Sequence, residues 1–161
     1  MFKLITKTIA AVAIVSVALF GSANAKTLKI ETHFTASSPN GEVAAQFAKN
    51  VEMFSGGSLK VQMFYSSSVT GKSAEVFNSA QTGIIDCDMT GAGYQTGKNA
   101  AFQFAGDVMG GYDNPYQQYE FLNYPGAQEA VDALYNKYGM TLIGWWIPGH
   151  ESLISSRPIP D

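Results

Sequence analysis

Two histidines occur in this chain, His33 and His150, and with Glu151, Asp86 or Asp88 they supply the donor types of a zinc site. The i, i+4 histidine pair of a zincin helix is absent, so the local spacing does not build one. A Ser–His–acid hydrolase is equally poorly served. No G-x-S-x-G elbow occurs, and "GHES" places its serine elsewhere. Asp86 and Asp88 stand at i, i+2, which puts both on one face of a strand. That arrangement suits a general acid and base, although two polar residues on an exposed sheet face are the commoner meaning. Gly71-Lys72-Ser73 ends like a phosphate-binding loop, but position 66, where its first glycine belongs, is Ser66. In "GAGYQTG" the glycines at 91, 93 and 97 run one position too long for the dinucleotide fingerprint. These residues carry no catalytic assignment.

A second group of residues points to binding instead. "GYQTGKNAAFQFAGDV", residues 93–108, joins Tyr94 and Gln95 to Lys98 and Asn99 in a glycine-rich run that follows an expected strand. Its glycines would let the backbone approach a ligand closely. Tyr94, Phe34 and one of Trp145 and Trp146 could wall an apolar cleft whose few polar groups orient a small anion; plain packing is the simpler alternative. Phe102 and Phe104 alternate and are expected to pack.

These side chains need a scaffold. "KTLKIETHF" alternates apolar and polar residues and predicts a strand that delivers His33 and Phe34 to a loop. Val43, Phe47, Val51 and Phe54 recur at helical spacing behind Ser38-Pro39, and Gly56-Gly57 marks the stop. "SLKVQMFYS" predicts a strand, "GKSAEVFNSAQTG" a helix, and "IIDCDMTGAG" another strand. Two helices follow, in "PYQQYEFLNY" and "PGAQEAVDALYNKYG", the second with Ala130, Val131, Leu134 and Tyr138 as its apolar side. "MTLIGWWI" predicts a strand buried on both faces, and "PGHESLISSRPIP" resumes extended structure. Alternating strands and helices predict an α/β domain with a largely parallel sheet and flanking helices. Ligands of such sheets sit at the carboxyl ends of the strands, here "THFTASSPNG", "TGAGYQTGKN" and "PGHES".

The first 25 residues read as a signal peptide. Lys3 and Lys7 precede the apolar run "IAAVAIVSVALFG", and "SANA" predicts cleavage after Ala25. The run is shorter than the roughly 20 residues that span a bilayer, so export is expected rather than anchoring. Of the 10 basic residues those two lysines leave with the segment, so 8 remain against 13 acids, a formal charge of −5. This excludes broad nucleic-acid binding, which needs a cationic surface, but a local site can still favour an anion. Cys87 is the only cysteine, so no intrachain disulfide forms, and it reads as a small apolar residue. About 135 residues after the signal suffice for one ordinary core.

Four stretches, "SGGSLKVQMFYSSSVTG", "AQTGIIDCDM", "YQTGKNAAFQFAGDV" and "LISSRPIPD", resemble in the same order the substrate-binding (DctP-type) proteins of tripartite ATP-independent periplasmic (TRAP) transporters. The nearer resemblance is to the branch that binds 2-oxo acids and related monocarboxylates. It implies a periplasmic receptor of the two-lobed (type II) binding-protein fold that closes on a small organic acid. The acid then passes to small and large membrane subunits driven by an ion gradient. The implied organisation is a signal peptide at 1–25, an N-terminal α/β lobe at 26–150, and at 151–161 the start of a strand crossing into a second lobe. The family's carboxylate-pairing arginine is expected beyond Asp161; Arg157, inside "RPI", is not that residue. Tyr94 matches a ligand-facing phenol. His33 and Phe34 match the first ligand-facing loop, and His150 and Glu151 a hinge-side loop. Trp146 is a further wall candidate, while Lys98 and Asn99 belong to the motif in structural or surface roles. Glu151 would face a carboxylate only through a cation, Na+ or Ca2+, whose hard charge prefers oxygen, or else would bond a ligand hydroxyl. A ligand-binding subunit of a sensory system and an exported hydrolase are the alternatives.

Overall fold

The computed structural model describes residues 25–106, 108, 110–147 and 155–158. Strand β1 (Lys26–Thr32) is the middle of a three-stranded parallel sheet, flanked by β2 (Leu59–Phe64) and β3 (Cys87–Met89). The register sets Ile30 beside Met63 on one edge and beside Cys87 on the other. Alternation then turns Leu28 and Ile30 to one face. There they pack with Ala44, Phe47, Val61, Met63, Cys87 and Met89.

Helix α1 (Pro39–Phe54) covers that face. The Ser38 hydroxyl accepts the Gly41 N–H at 3.1 Å and caps its start. Gly56 and Gly57, with φ of 61° and 80°, end it in the left-handed turn that the pair predicts. Gly41 is required for a different reason: a Cβ there would collide with the Thr35 carbonyl oxygen. The first turn of α1 therefore lies directly against the loop that leaves β1.

A second cluster joins Phe77 of α2 (Val76–Gln81), Ala92, Phe102 and Leu134 of α4 (Pro125–Asn136). Helix α3 (Pro115–Asn123) precedes α4. Phe77, Phe102, Tyr135 and Tyr138 meet at centroid distances from 5.2 to 6.0 Å, mostly edge to face. Of the apolar side expected for α4, Val131 and Leu134 are buried and Tyr138 packs on the cluster, whereas Ala130 is exposed. No helix among the described residues is long and apolar enough to cross a membrane.

Several expectations need correction. Residues 141–147 form no strand, and Ile143 is 71% exposed. An apolar run becomes a strand only with a ladder partner, and the short β3 edge pairs only with β1 among the described residues. The run is held instead by the Leu142 N–H on the Asp132 carboxylate at 3.0 Å and by Trp146 on the first cluster. The strand expected in "IIDCDMTGAG" shrinks to three residues, because Ile84 and Ile85 donate their N–H groups to the Ser79 carbonyl at the end of α2. Phe102 is buried but Phe104 is 67% exposed. The segment Ala100–Ala105 is a 3-10 helix, in which i and i+2 do not share a face. Residues 155–158 bend, with the Arg157 N–H on the Ser155 hydroxyl. Residues 1–24 of the signal peptide, and His150 and Glu151, lie outside the described residues.

The two phenylalanines give a paired test. Phe102→Ala is expected to cost about 3–5 kcal/mol of unfolding free energy through the cavity it leaves. Phe104→Ala should stay within about 0.5 kcal/mol. Urea unfolding of both variants measures the contrast, and equal losses would contradict the packing.

Candidate functional site

All three strands run in the same direction, so their carboxyl ends gather at one edge of the sheet. Each delivers a loop there. His33 and Phe34 follow β1, Ser66 and Ser67 follow β2, and Tyr94 follows β3 in a short 3-10 turn (Ala92–Gln95).

The structure brings four of the sequence-selected residues into one row. The His33 ring lies 3.9 Å from Phe34 and 5.4 Å from Tyr94, the latter edge to face. Phe34 in turn lies 6.3 Å from Trp146. Trp146 is fixed by its indole N–H, which donates to Asn40 of α1 at 3.4 Å. Tyr94 is 47% exposed, and no hydrogen bond to the protein engages its phenol among the described residues. His33 is half-buried, and burial holds its imidazole below the ordinary value, so it is neutral at pH 7. Its Nδ1 is buried with no hydrogen-bond partner among the described residues. A row of rings with one free phenol and one neutral imidazole can pack a small planar group and offer it a few directed hydrogen bonds.

The loops are braced from below. Ser66 and Ser67 adopt φ of 57° and 49°, left-handed conformations that serine seldom takes. In return Ser66 N–H reaches the Phe34 carbonyl at 2.9 Å and Ser67 N–H the Thr32 carbonyl at 3.1 Å. Those two bonds bracket His33. The same turn is anchored by fully buried Glu31, whose Oε1 accepts the N–H groups of Val69 at 2.6 Å and Thr70 at 3.3 Å. On the other loop, buried Gln95 donates to the Ala74 carbonyl at 3.3 Å.

Other sequence-selected residues do not join the row. Lys98 donates to Asn78 at 2.5 Å and sits 5.6 Å over the Phe77 ring, and Asn99 caps the 3-10 helix through the Ala101 N–H. Both serve the scaffold. Asp86 is exposed and accepts the Lys29 N–H at 2.8 Å, while Asp88 is half-buried and bonded to the Thr90 hydroxyl. Their environments differ too far for a matched acid–base pair. Gly91, Gly93 and Gly97 keep ordinary φ values, so the backbone does not require them there. Among the described residues no group of three or more His, Cys, Asp or Glu could hold a metal ion. Residues that the sequence reading passed over are Asn40, Glu31, Ser66 and Ser67.

Comparison with known proteins bears on the family and the fold. The profile of bacterial extracellular solute-binding proteins, family 7 (DctP), matches residues 30–161. No curated protein matches the chain. Among solved structures it is similar to a TRAP periplasmic solute-binding protein from Rhodobacter sphaeroides in an apo open form, with 25% identity over 73% of this chain and a TM-score of 0.67. A TRAP solute-binding protein from Bordetella bronchiseptica RB50, with copurified calcium and picolinate, aligns at 22% identity over 71% with a TM-score of 0.64. One from Pseudoalteromonas atlantica T6c, with sodium and pyruvate, aligns at 20% over 72% with a TM-score of 0.62. The chain spans 37%, 34% and 35% of those three chains. The profile covers nearly everything after the first strand begins, and the fold matches a lobe of these periplasmic-binding-protein structures. By that match the chain belongs to family 7 of the bacterial extracellular solute-binding proteins.

Proposed function

We propose that this chain supplies one ligand-facing wall of a periplasmic TRAP-transporter receptor that captures a small organic acid, a 2-oxo acid or another monocarboxylate. The observation that carries this reading is the aromatic row Tyr94–His33–Phe34–Trp146, assembled from the loops that follow β1 and β3 and from the non-strand segment 141–147. A receptor needs grip and exclusion of water rather than a nucleophile, and rings with few polar groups suit that task. Tyr94 is the donor to the acid, Phe34 and Trp146 are walls, and neutral His33 contributes a polar edge. His150 and Glu151 are assigned to the hinge-side loop by the resemblance of their segment.

The same reading sends the bound acid to small and large membrane subunits and places the protein in the periplasm after cleavage at Ala25. A bound Na+ or Ca2+ beside the acid, with Glu151 as an oxygen donor, is supported by the cations in two of the similar structures. The organisation proposed is a lobe at 26–150 and the start of a crossing strand at 151–161.

Calorimetry of the full-length protein against a panel of 2-oxo acids and other short carboxylic acids is expected to give heat for at least one. Silence across the panel, with no thermal shift, would reject the reading. Tyr94→Phe should weaken that binding about ten- to hundredfold, the worth of a charge-assisted hydrogen bond of about 1.5–3 kcal/mol. Unchanged affinity would remove the phenol from the site.

A further inference from the structure

His33 holds a polar atom that the ligand-site reading does not use. Of its two ring nitrogens only Nδ1 is both buried and unpartnered, and no described residue bonds Nε2. In a half-buried ring this leaves Nε2 as the nitrogen that can meet a solute. The two nitrogens have little room to exchange places. The ring centroid lies 3.9 Å from that of Phe34 and 5.4 Å from that of Tyr94. The N–H groups of Ser66 and Ser67 hold the Phe34 and Thr32 carbonyls on either side of the residue.

A neutral imidazole carries one proton, on either nitrogen, and the partner of one nitrogen ordinarily decides the state of the other. Here the decision comes from a missing partner. A proton on Nδ1 would bury a donor with no acceptor, and orphaned buried N–H groups are rarer than under-satisfied acceptors. Leaving Nδ1 bare confines the cost to an acceptor. A proton on each nitrogen would bury the same orphaned donor and a charge as well, and burial already holds the imidazole below its ordinary value. The proton therefore sits on Nε2.

We propose that His33 determines specificity: its Nε2–H is a fixed donor that selects acids bearing a hydrogen-bond acceptor at the carbon next to the carboxylate and disfavours 2-amino acids. This rests on the ligand-site reading above, in which Tyr94 donates to the carboxylate; the neighbouring oxo group then falls to His33. An oxo group only accepts, whereas an ammonium is three donors and no acceptor. Among the four side chains of the row, the phenol oxygen is the one acceptor besides the buried Nδ1, and the Trp146 indole only donates, to Asn40. An ammonium in place of the oxo group sets donor against donor at Nε2 and loses its hydration without an equivalent partner. The Phe34 and Trp146 faces offer that ammonium a cation–π contact in compensation. Alanine against pyruvate is therefore the decisive comparison.

The test begins with the ligand-free full-length protein carrying ¹⁵N-labelled histidine. Long-range proton–nitrogen correlation at neutral pH should show His33 protonated at Nε2 and bare at Nδ1. A proton on Nδ1, or rapid exchange between the two tautomers, would overturn the proposal. Calorimetry then compares pyruvate with L-alanine, which have the same carbon skeleton. Pyruvate should bind about tenfold more tightly or better, and equal affinities would sink the idea. His33→Phe keeps an aromatic ring without a donor, so pyruvate should weaken about tenfold and its advantage over alanine should shrink. Should that variant fold poorly, His33→Gln serves instead: it can turn either a carbonyl or an amide group to the ligand, and the advantage should shrink likewise. Weakening of both ligands by the same factor, with the advantage intact, would show that the ring only packs and would refute the assignment. Silence of every carboxylic acid would defeat the ligand-site reading and the selectivity with it. The wrong tautomer in a protein that does bind pyruvate would defeat this proposal alone.

Discussion

β1 is bonded along both edges, to β2 from Lys26 through Glu31 and to β3 from Ile30 through Thr32, and this double pairing governs what the rest of the molecule can present. Side chains alternate with a period of two, so a one-residue slip on either edge would turn Ile30 out of the core and Glu31 into it on the wrong side. The pairing also fixes where the chain leaves the sheet. Thr32 and Phe34 carbonyls are then met by the Ser67 and Ser66 N–H groups, and His33 between them has little freedom left. The position of one imidazole thus depends on ladder bonds several residues away.

Holding that geometry concentrates unfavourable terms in one place. Two consecutive serines sit in the left-handed region, each costing on the order of 1 kcal/mol or more. Glu31 is buried with one oxygen unpartnered, and His33 buries Nδ1 without a bond. Local rules are broken here and nowhere else so densely among the described residues. The two hydrophobic clusters supply the offset: α1 closes one face of the sheet, and the Phe77–Phe102–Tyr135–Tyr138 group buttresses the β3 loop. A site that conflicts with local preference while its scaffold obeys it is the pattern expected where selection acts on recognition.

Much of the scaffold was legible because its signals are local. Alternation in "KTLKIET" and "LKVQMF", the Ser38-Pro39 start and the Gly56-Gly57 stop each depend on residues within a few positions of one another. The segment 140–147 misled because its apolarity says it is partly buried but not what it pairs with. Phe104 misled because alternation assumes a strand and the backbone there is 3-10. In the site, Tyr94, His33, Phe34 and Trp146 were reachable from motif resemblance and aromatic type. Glu31 and the Ser66–Ser67 turn were not, because their meaning arises only when β1 and β2 stand side by side.

An aromatic row open on one side cannot grip a small acid by itself. Ligand pockets cover most of a ligand's surface, roughly 70–90% of it, whereas Tyr94 here remains nearly half exposed. Rings supply contact area without much conformational entropy to lose, but the full worth of a phenol–carboxylate bond needs water to be driven away. In the receptor proposed above, a second surface completes the enclosure. Closure in such a system is selected by the acid only if the waiting wall is already shaped. In the proposed receptor the clamp of Ser66 and Ser67 on the His33 loop provides that shape in advance, which lowers the ordering cost of binding.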